Sequence, residues 1–254
     1  MTHVSDFLVI GSGIAGLSFS LRAAGKGTVI ILTKKNKAES NTNYAQGGIA
    51  SVFSPEDSFE AHMQDTIEAG VGLCNHQSVE LIVHQAPERI RELMNWGVHF
   101  TFHDEDQHLD LGREGGHSKS RIVHVKDYTG RALEDTLLAR VKEHPNIQVL
   151  EDHTVIEFIT EHHLEPSERK YKDGIHCWGV YALNGDSGEV EIFQAKATLL
   201  SSGGVGKVYL HSTNPVIATG DGVAMAFRAG ARLPIWSLCS FILQCCTILI
   251  RNPF

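Results

Sequence analysis

A glycine-rich turn near the start of the chain, Gly11-Ser-Gly13-Ile-Ala-Gly16, constrains the fold more than any other feature of the sequence. It comes directly after the apolar run Phe7-Leu-Val-Ile10, opens a stretch of helical character over residues 17–24, and precedes a second apolar run at 28–32. Alone, a G-x-G-x-x-G is a weak signal. Between two buried strands and at the mouth of a helix it is the phosphate-binding turn of a βαβ unit. Gly11 permits the tight turn, Gly13 lets the backbone approach a pyrophosphate, and Gly16 lets the helix lie close to the strand. The first N–H groups of the helix are then free to meet the phosphates.

The remainder of the 254 residues supports an α/β fold built on a parallel sheet. Helices are expected at 62–68 and 77–95. The second carries an apolar stripe of Val79, Ile82, Val83, Ala86, Ile90, Leu93 and Met94, with Pro87 as a kink or a break. A polar loop comes next at 100–116 and a helix at 132–143, stopped near Pro145. Strands are expected at 147–150 and 154–159. A hairpin of 179–183 and 190–193 turns around Asn184-Gly185, and a separate strand runs over 198–201. A small-residue helix covers 221–229, with Asp221 read either as its N-cap or as a ligand contact.

Charge and cysteine usage narrow the function classes. Lys plus Arg is 22 against Asp plus Glu 30, a net charge of -8, which argues against a nucleic-acid partner. The 5 cysteines include no C-x-x-C, so neither a zinc site nor a disulfide framework is expected. The start lacks a basic and apolar leader, and the longest apolar run, 241–250, is short and holds Gln244 and Thr247. The expectation is a cytoplasmic protein with no membrane partner. The cluster His103, Asp104, Glu105, Asp106 and His108 reads as a solvated acidic loop, and His162-His163, among Glu161, Glu165 and Glu168, as a charged surface turn. Cys245-Cys246 is not read as a redox pair.

Thr33-Lys34 stands where a nicotinamide dinucleotide site usually has an acidic residue for the ribose. That weakens NAD as the ligand and leaves FAD. Further along come Asn41-Thr-Asn-Tyr44-Ala-Gln46-Gly47-Gly48-Ile49-Ala50, Arg113-Glu114-Gly115-Gly116-His117-Ser118, and Asp127-Tyr-Thr129-Gly130-Arg131. Ser202-Gly203-Gly204 comes after them, with Thr213-Asn-Pro and Thr219-Gly-Asp221-Gly222. With the glycine turn, these blocks resemble in order and spacing the L-aspartate oxidases of the succinate dehydrogenase and fumarate reductase flavoprotein family, from residue 5 to about 233.

The resemblance implies a Rossmann-like FAD-binding domain with a parallel sheet and a small β-hairpin insertion. Family positions that contact FAD match Ser12, Gly13, Ile14 and Ala15 beside Gly11 and Gly16 of the turn, then Lys34. They also match the run Asn41, Thr42, Asn43, Tyr44, Ala45, Gln46, Gly47 and Gly48, and further on Thr154, Val155 and Asp221. Asn41 occupies the position at which the family's dehydrogenases carry a flavin-linked histidine. An amide is no nucleophile, so FAD is expected to be non-covalent. Glu114 matches the family residue facing the substrate amino group, and a carboxylate there pairs with an ammonium that succinate lacks. The reaction implied is oxidation of L-aspartate to iminoaspartate with oxygen or fumarate as acceptor. The product would be handed to quinolinate synthase in NAD biosynthesis. Two alternatives stand beside it: a fumarate reductase or succinate dehydrogenase flavoprotein subunit, against which Asn41 and Glu114 speak, and a non-catalytic FAD-binding fragment.

After Leu233 the resemblance stops, and residues 234–254 contain no acidic residue. Back-translated with allowed codons, with one G placed in front and read in threes, residues 234–244 become A-N-M-E-F-V-Q-F-H-P-T, the block with which the family continues. Trp236 has a single codon, which limits the freedom of that choice. The expectation is a single-base deletion near the Leu233–Pro234 junction. Residues 1–233 are then an incomplete FAD-binding domain and 234–254 an aberrant tail where the capping domain would start. On this reading Ile242 replaces the family's carboxylate-binding histidine and the capping and helical domains are missing. The 254-residue chain is then expected to be inactive, because it cannot close a site against water.

Overall fold

The computed structural model describes residues 1–103, 108–163, 176–231 and 248–251. In chain order the strands and helices are β1 (Thr2–Ile10), α1 (Ile14–Ala23), β2 (Val29–Leu32), β3 (Ile49–Ala50), α2 (Phe59–Ala69), α3 (His76–Asn95), β4 (Leu111–Gly112) and β5 (Ile122–Val123). They continue with α4 (Thr129–Glu143), β6 (Ile147–Leu150), β7 (His153–Thr160), β8 (Cys177–Asn184), β9 (Val190–Leu200), α5 (Asp221–Arg228) and β10 (Ile248–Arg251). They fall into two compact units, one of Met1–Asn43 with Leu137–Phe254 and one of Tyr44–Thr136.

The first unit is organised by one sheet with the order β6-β2-β1-β9-β8-β7, and β10 pairs with β9. β6, β2, β1 and β9 run parallel, and β9-β8-β7 is an antiparallel meander. All four residues of β2 are buried, which is what a strand covered on both faces requires. Leu8, Ile10, Ile30, Leu32, Phe158, Val180, Phe193 and Leu200 belong to one hydrophobic cluster. The helix α1 turns its small face to the sheet. A Cβ on Gly16 would stand 2.1 Å from the Gly11 carbonyl oxygen and 3.1 Å from Val9 Cγ1. Any side chain there would push α1 off the strand.

The two strands expected at 190–193 and 198–201 are a single strand, β9, which ends at Leu200. Its residues Ile192–Leu200 pair with Thr2–Ile10 along the length of β1, while its first half also pairs with β8. Ala195 and Ala197 are buried and Gln194 and Lys196 exposed, so the alternation carries across the expected gap, and from Ala197 to Leu200 every residue is buried. Alanines carry a weak apolar signal, and in the sequence the strand reads as interrupted where it is not. The turn between β8 and β9 is held by the Asn184 side chain, whose Oδ1 accepts from the N–H of Asp186 at 3.0 Å and of Ser187 at 3.2 Å. Glu161 is a second correction. It is 5% exposed rather than part of a surface turn, and its carboxylate meets the His176 ring at 2.6 Å and accepts the His176 N–H at 2.8 Å. Glu165 and Glu168 lie outside the described residues, as does Cys245-Cys246.

The second unit is helical with a small antiparallel sheet, order β3-β5-β4. α2 starts at Ser58, whose hydroxyl accepts the Ala61 N–H, and α3 at Asn75, whose side chain accepts the Ser78 N–H. α3 runs unbroken through Pro87, which is buried on the same face as Val79, Val83, Ile90 and Leu93. Ile82, expected on that stripe, is 67% exposed, because it sits one step around the helix from Val83. The stretch 100–116, expected as loop, holds β4 and a bridge from Phe102 to Leu109. Two-residue strands have no periodicity to read. Asp104, Glu105 and Asp106 of that stretch lie outside the described residues. Among the described residues no helix is long and apolar enough to cross a membrane.

Candidate functional site

The parallel strands β2, β1 and β9 of the first unit end side by side, and a cleft opens at their carboxyl ends. In open α/β sheets this is where ligands bind. The glycine turn forms its floor. Gly11 has φ +107, and a Cβ on it would stand 2.4 Å from the Ser201 carbonyl oxygen at the end of β9. Only a glycine lets the β1 and β9 backbones come this close. Gly13 is the N-cap of the 10-residue helix α1, with no side-chain cap and no acidic residue in the first turn. The Ile14 N–H donates to Thr42 Oγ1 at 3.1 Å, so residue 42 closes one edge of the turn. The Ser12 hydroxyl donates to the Lys37 carbonyl at 2.7 Å.

Of the residues named from the sequence, Gly11, Ser12, Gly13, Ile14, Ala15, Lys34, Asn41, Thr42, Thr154, Val155 and Asp221 line this cleft. Gly16 does not; it is buried on the face of α1 that lies against β1. Asn43 does not either, and its N–H donates to Ser40 Oγ at 3.1 Å. Asp221 is not the N-cap of α5. That position is Gly220, in the left-handed region at φ 79, and Asp221 is the first helical residue. Its carboxylate is engaged by Lys34, whose Nζ lies 2.5 Å from Oδ2 and 2.6 Å from Thr219 Oγ1. A cation and a carboxylate from distant elements thus meet on one wall. Sequence reasoning missed Ser201 and His153, which also line the cleft. The signal for Ser201 was its place at the carboxyl end of the strand that pairs with β1. His153 offered no signal; its Nδ1 donates to the Glu151 carbonyl at 2.6 Å.

Tyr44, Ala45, Gln46, Gly47, Gly48 and Glu114 belong to the second unit. The Ala45 carbonyl accepts the Gly130 N–H at 2.9 Å. A Cβ on Gly48 would lie 2.4 Å from the Val123 carbonyl, so Gly48 packs directly on β5. Glu114 stands against Gly47, where a Cβ would lie 2.9 Å from its Oε1. Tyr44 and Gln46 are exposed.

The cleft suits the diphosphate and adenosine portions of FAD. A helix N-terminus whose N-cap is a glycine, and glycines that bring no Cβ, offer N–H groups and close approach to phosphate. Ile14, Val155 and Met225 give apolar walls for a flat ring. Among the described residues no group of His, Cys, Asp and Glu is arranged to hold a metal.

The comparisons with known proteins agree with this geometry. The FAD binding domain family model matches residues 6–242. The chain is 52% identical over 232 residues to a chloroplastic L-aspartate oxidase of Nicotiana tabacum, covering 91% of this chain and 34% of the relative. It is 44% identical over 236 residues to L-aspartate oxidase of Vibrio cholerae, covering 91% of this chain and 43% of the relative. The fold superposes on the FrdA chain of E. coli quinol fumarate reductase with a TM-score of 0.80 at 31% identity, over 90% of this chain and 37% of that one. The chain therefore spans from a third to under half the length of these relatives.

Proposed function

Since the chain belongs to the FAD binding domain family, we propose that it serves the oxidation of L-aspartate to iminoaspartate. The observation that carries the reading is Glu114, a loop carboxylate lying against Gly47 of the glycine run. An acid in that place favours a substrate with an ammonium over a plain dicarboxylate. The likeness to L-aspartate oxidases, at 52% and 44% identity, supports the same choice.

FAD is the cofactor, and when bound it supplies the two-electron acceptor. The chain's own residues bind and orient. The α1 N-terminus and the backbone of Gly11 to Ala15 neutralise the diphosphate. Lys34 and Asp221 hold the polar part of the adenosine side, and the Val155 backbone meets the adenine. Gln46, Gly47 and Gly48 present N–H groups to the flavin ring. Asn41 leaves the flavin unbonded. Glu114 holds the substrate ammonium. Oxygen or fumarate takes the electrons, quinolinate synthase receives the product, and the setting is cytoplasmic.

The test is to load the protein with FAD, precipitate it in acid and look for flavin in the supernatant. Product formation from L-aspartate is then compared with that from succinate, in the 254-residue chain and in the enzyme with its reading frame restored beyond Leu233. Released flavin, no turnover by the 254-residue chain, and in the frame-restored enzyme an L-aspartate-dependent turnover that falls roughly 100-fold in Glu114→Gln are expected. Flavin that stays with the pellet would sink the reading and favour the fumarate reductase alternative, which the FrdA likeness keeps in view.

We further read residues 234–254 as a shifted frame that succeeds an FAD-binding segment at 1–233. Sequencing the gene across the codons for Leu233 and Pro234 tests it. A neighbouring frame that continues past the H-P-T block supports the shift; early stops in both other frames sink it.

A further inference from the structure

We propose that Arg121 is the positioning residue for the loop that carries Glu114, acting through Asp57 and Asp65; this rests on the reading of Glu114 as the ammonium-facing carboxylate. All of these residues lie in the second unit.

The Arg121 side chain is 0% exposed. Its Nε donates to Asp57 Oδ2 at 2.8 Å and its Nη2 to Asp57 Oδ1 at 2.7 Å, a two-pronged fork on one carboxylate. Nη1 donates to Asp65 Oδ2 at 2.6 Å. Asp57 immediately precedes the α2 N-cap, and Asp65 lies within α2, so the guanidinium grips that helix at two places. The Arg121 backbone is fixed as well. Its N–H donates to the Gly112 carbonyl and its carbonyl accepts the Ser51 N–H.

The same grip extends to the loop. Asp65 Oδ2 also accepts the Ser118 N–H at 2.7 Å and the Ser118 hydroxyl at 2.8 Å. Arg121 Nη1 lies 3.3 Å from His117 Nδ1. A guanidinium only donates, so this nitrogen accepts, and the His117 proton sits on Nε2. His117 then ties back to the front of the loop. Its N–H donates to the Glu114 carbonyl at 3.2 Å, and its carbonyl accepts from Arg113 Nε at 2.9 Å. The chain of contacts runs from α2 through Asp65, Arg121, Ser118 and His117 to Glu114, which rests on Gly47. Between the anchored His117 and Glu114 stand Gly115 and Gly116, and a Cβ on either would meet nothing within 4 Å. These two glycines add no packing of their own to hold the loop's shape.

Burying one cation with two carboxylates is a poor way to gain stability, since a well-packed apolar trio of the same volume is often at least as stable. What the arrangement supplies is direction. Four acceptor atoms, from Asp57, Asp65 and His117, are fixed around a planar fork, and the loop is hung from them. Lysine, a point charge on a flexible stem, cannot reproduce that.

The test uses the full chain loaded with FAD. Asp65→Asn keeps the shape and removes the charge. Amide hydrogen exchange at His117 and Ser118 is expected to quicken about tenfold or more, with the β1 and β9 amides unchanged. The ring nitrogen signals of His117 are expected to lose the Nε2–H signature, and Arg121→Lys is expected to do the same without rescue. Ser118→Ala, the milder change, is expected to quicken exchange about threefold if Asp65→Asn fails to fold. Binding is read from the change in flavin absorbance with L-aspartate and with succinate. The preference for L-aspartate is expected to drop about tenfold in Asp65→Asn. Unchanged loop exchange and an unchanged His117 signature would overturn the clamp. A loosened loop with the preference intact would overturn its positioning role. Glu114→Gln tests the underlying reading separately. It should abolish the preference while Ser118 exchange stays as it was, and a preference that survives it sinks that reading whatever the exchange data show.

Discussion

At the scale of single residues the glycine turn is both the most legible feature and the least forgiving. The spacing of Gly11, Gly13 and Gly16 announces what each must do, and the distances give the reason in the fold. A methyl group on Gly11 would collide with the Ser201 carbonyl at 2.4 Å, in a backbone region that L residues avoid. Gly11→Ala is therefore expected to cost about 2–4 kcal/mol of stability and to abolish FAD retention, checked by urea melts and by flavin fluorescence after gel filtration. Near-normal melting with FAD retained would show that β1 and β9 can part at no cost. Lys34 and Asp221 mark the opposite limit of legibility. Each stands out in the sequence, one for lacking the usual acidic character and the other as a cap or contact, but nothing in the sequence joins them. They are separated by 187 positions and meet only because the sheet brings the ends of β2 and the start of α5 to one wall.

At the scale of elements, patterns survived where periodicity was strong and failed where it was weak. β2 and α3 are apolar enough to be read directly, but the alanines of β9 hid its continuity, and β3, β4 and β5 are too short to have any pattern. The polar grip on α2 was invisible for a further reason: Asp57, Asp65 and Arg121 look like ordinary surface charges until the fold buries the arginine. That burial sets a pH dependence. Burial alone would raise the Asp65 carboxyl, but the Ser118 and Arg121 hydrogen bonds outweigh it and hold it at about 2. Burial also lowers His62, aided by the nearby Arg121 charge. Both groups bind protons more weakly in the fold than in the open chain, so both contribute stability that is lost as pH falls. The His62 share starts to go below about pH 6.5, and the Asp65 share goes between about pH 4 and its folded value near 2. The His62→Phe variant should flatten only the upper part of the acid slope, whereas Asp65→Asn should flatten only the lower part. Urea midpoints measured from pH 7 to pH 2 decide this, and a slope that neither variant alters would mean that other groups govern acid unfolding.

At the scale of the whole molecule, the two units divide the chemistry. The first holds the glycine turn, Lys34, Thr154, Val155 and Asp221, and the second holds Gly47, Gly48 and Glu114. A ligand that binds only the folded form stabilises what it touches by mass action, about 2.7 kcal/mol when its concentration is 100 times its dissociation constant. If FAD is gripped by the cleft, its addition should slow amide exchange at Ile14 and Ala15 and at Thr154 and Val155. Those amides belong to segments that are far apart in sequence and share one wall in the fold. A series of adenine nucleotides can be ranked by the same measurement. AMP should protect Thr154 and Val155 alone, ADP should add the α1 N-terminus, and FAD should add the amides of Gln46 to Gly48. Protection that reaches the first unit and stops at the glycine run would mean that the flavin ring is held by residues other than 46–48. The proposal for Glu114 would then lose its neighbour, although FAD binding itself would stand. Protection of all three sets would tie the two units to one ligand without any assumption about how they sit against each other.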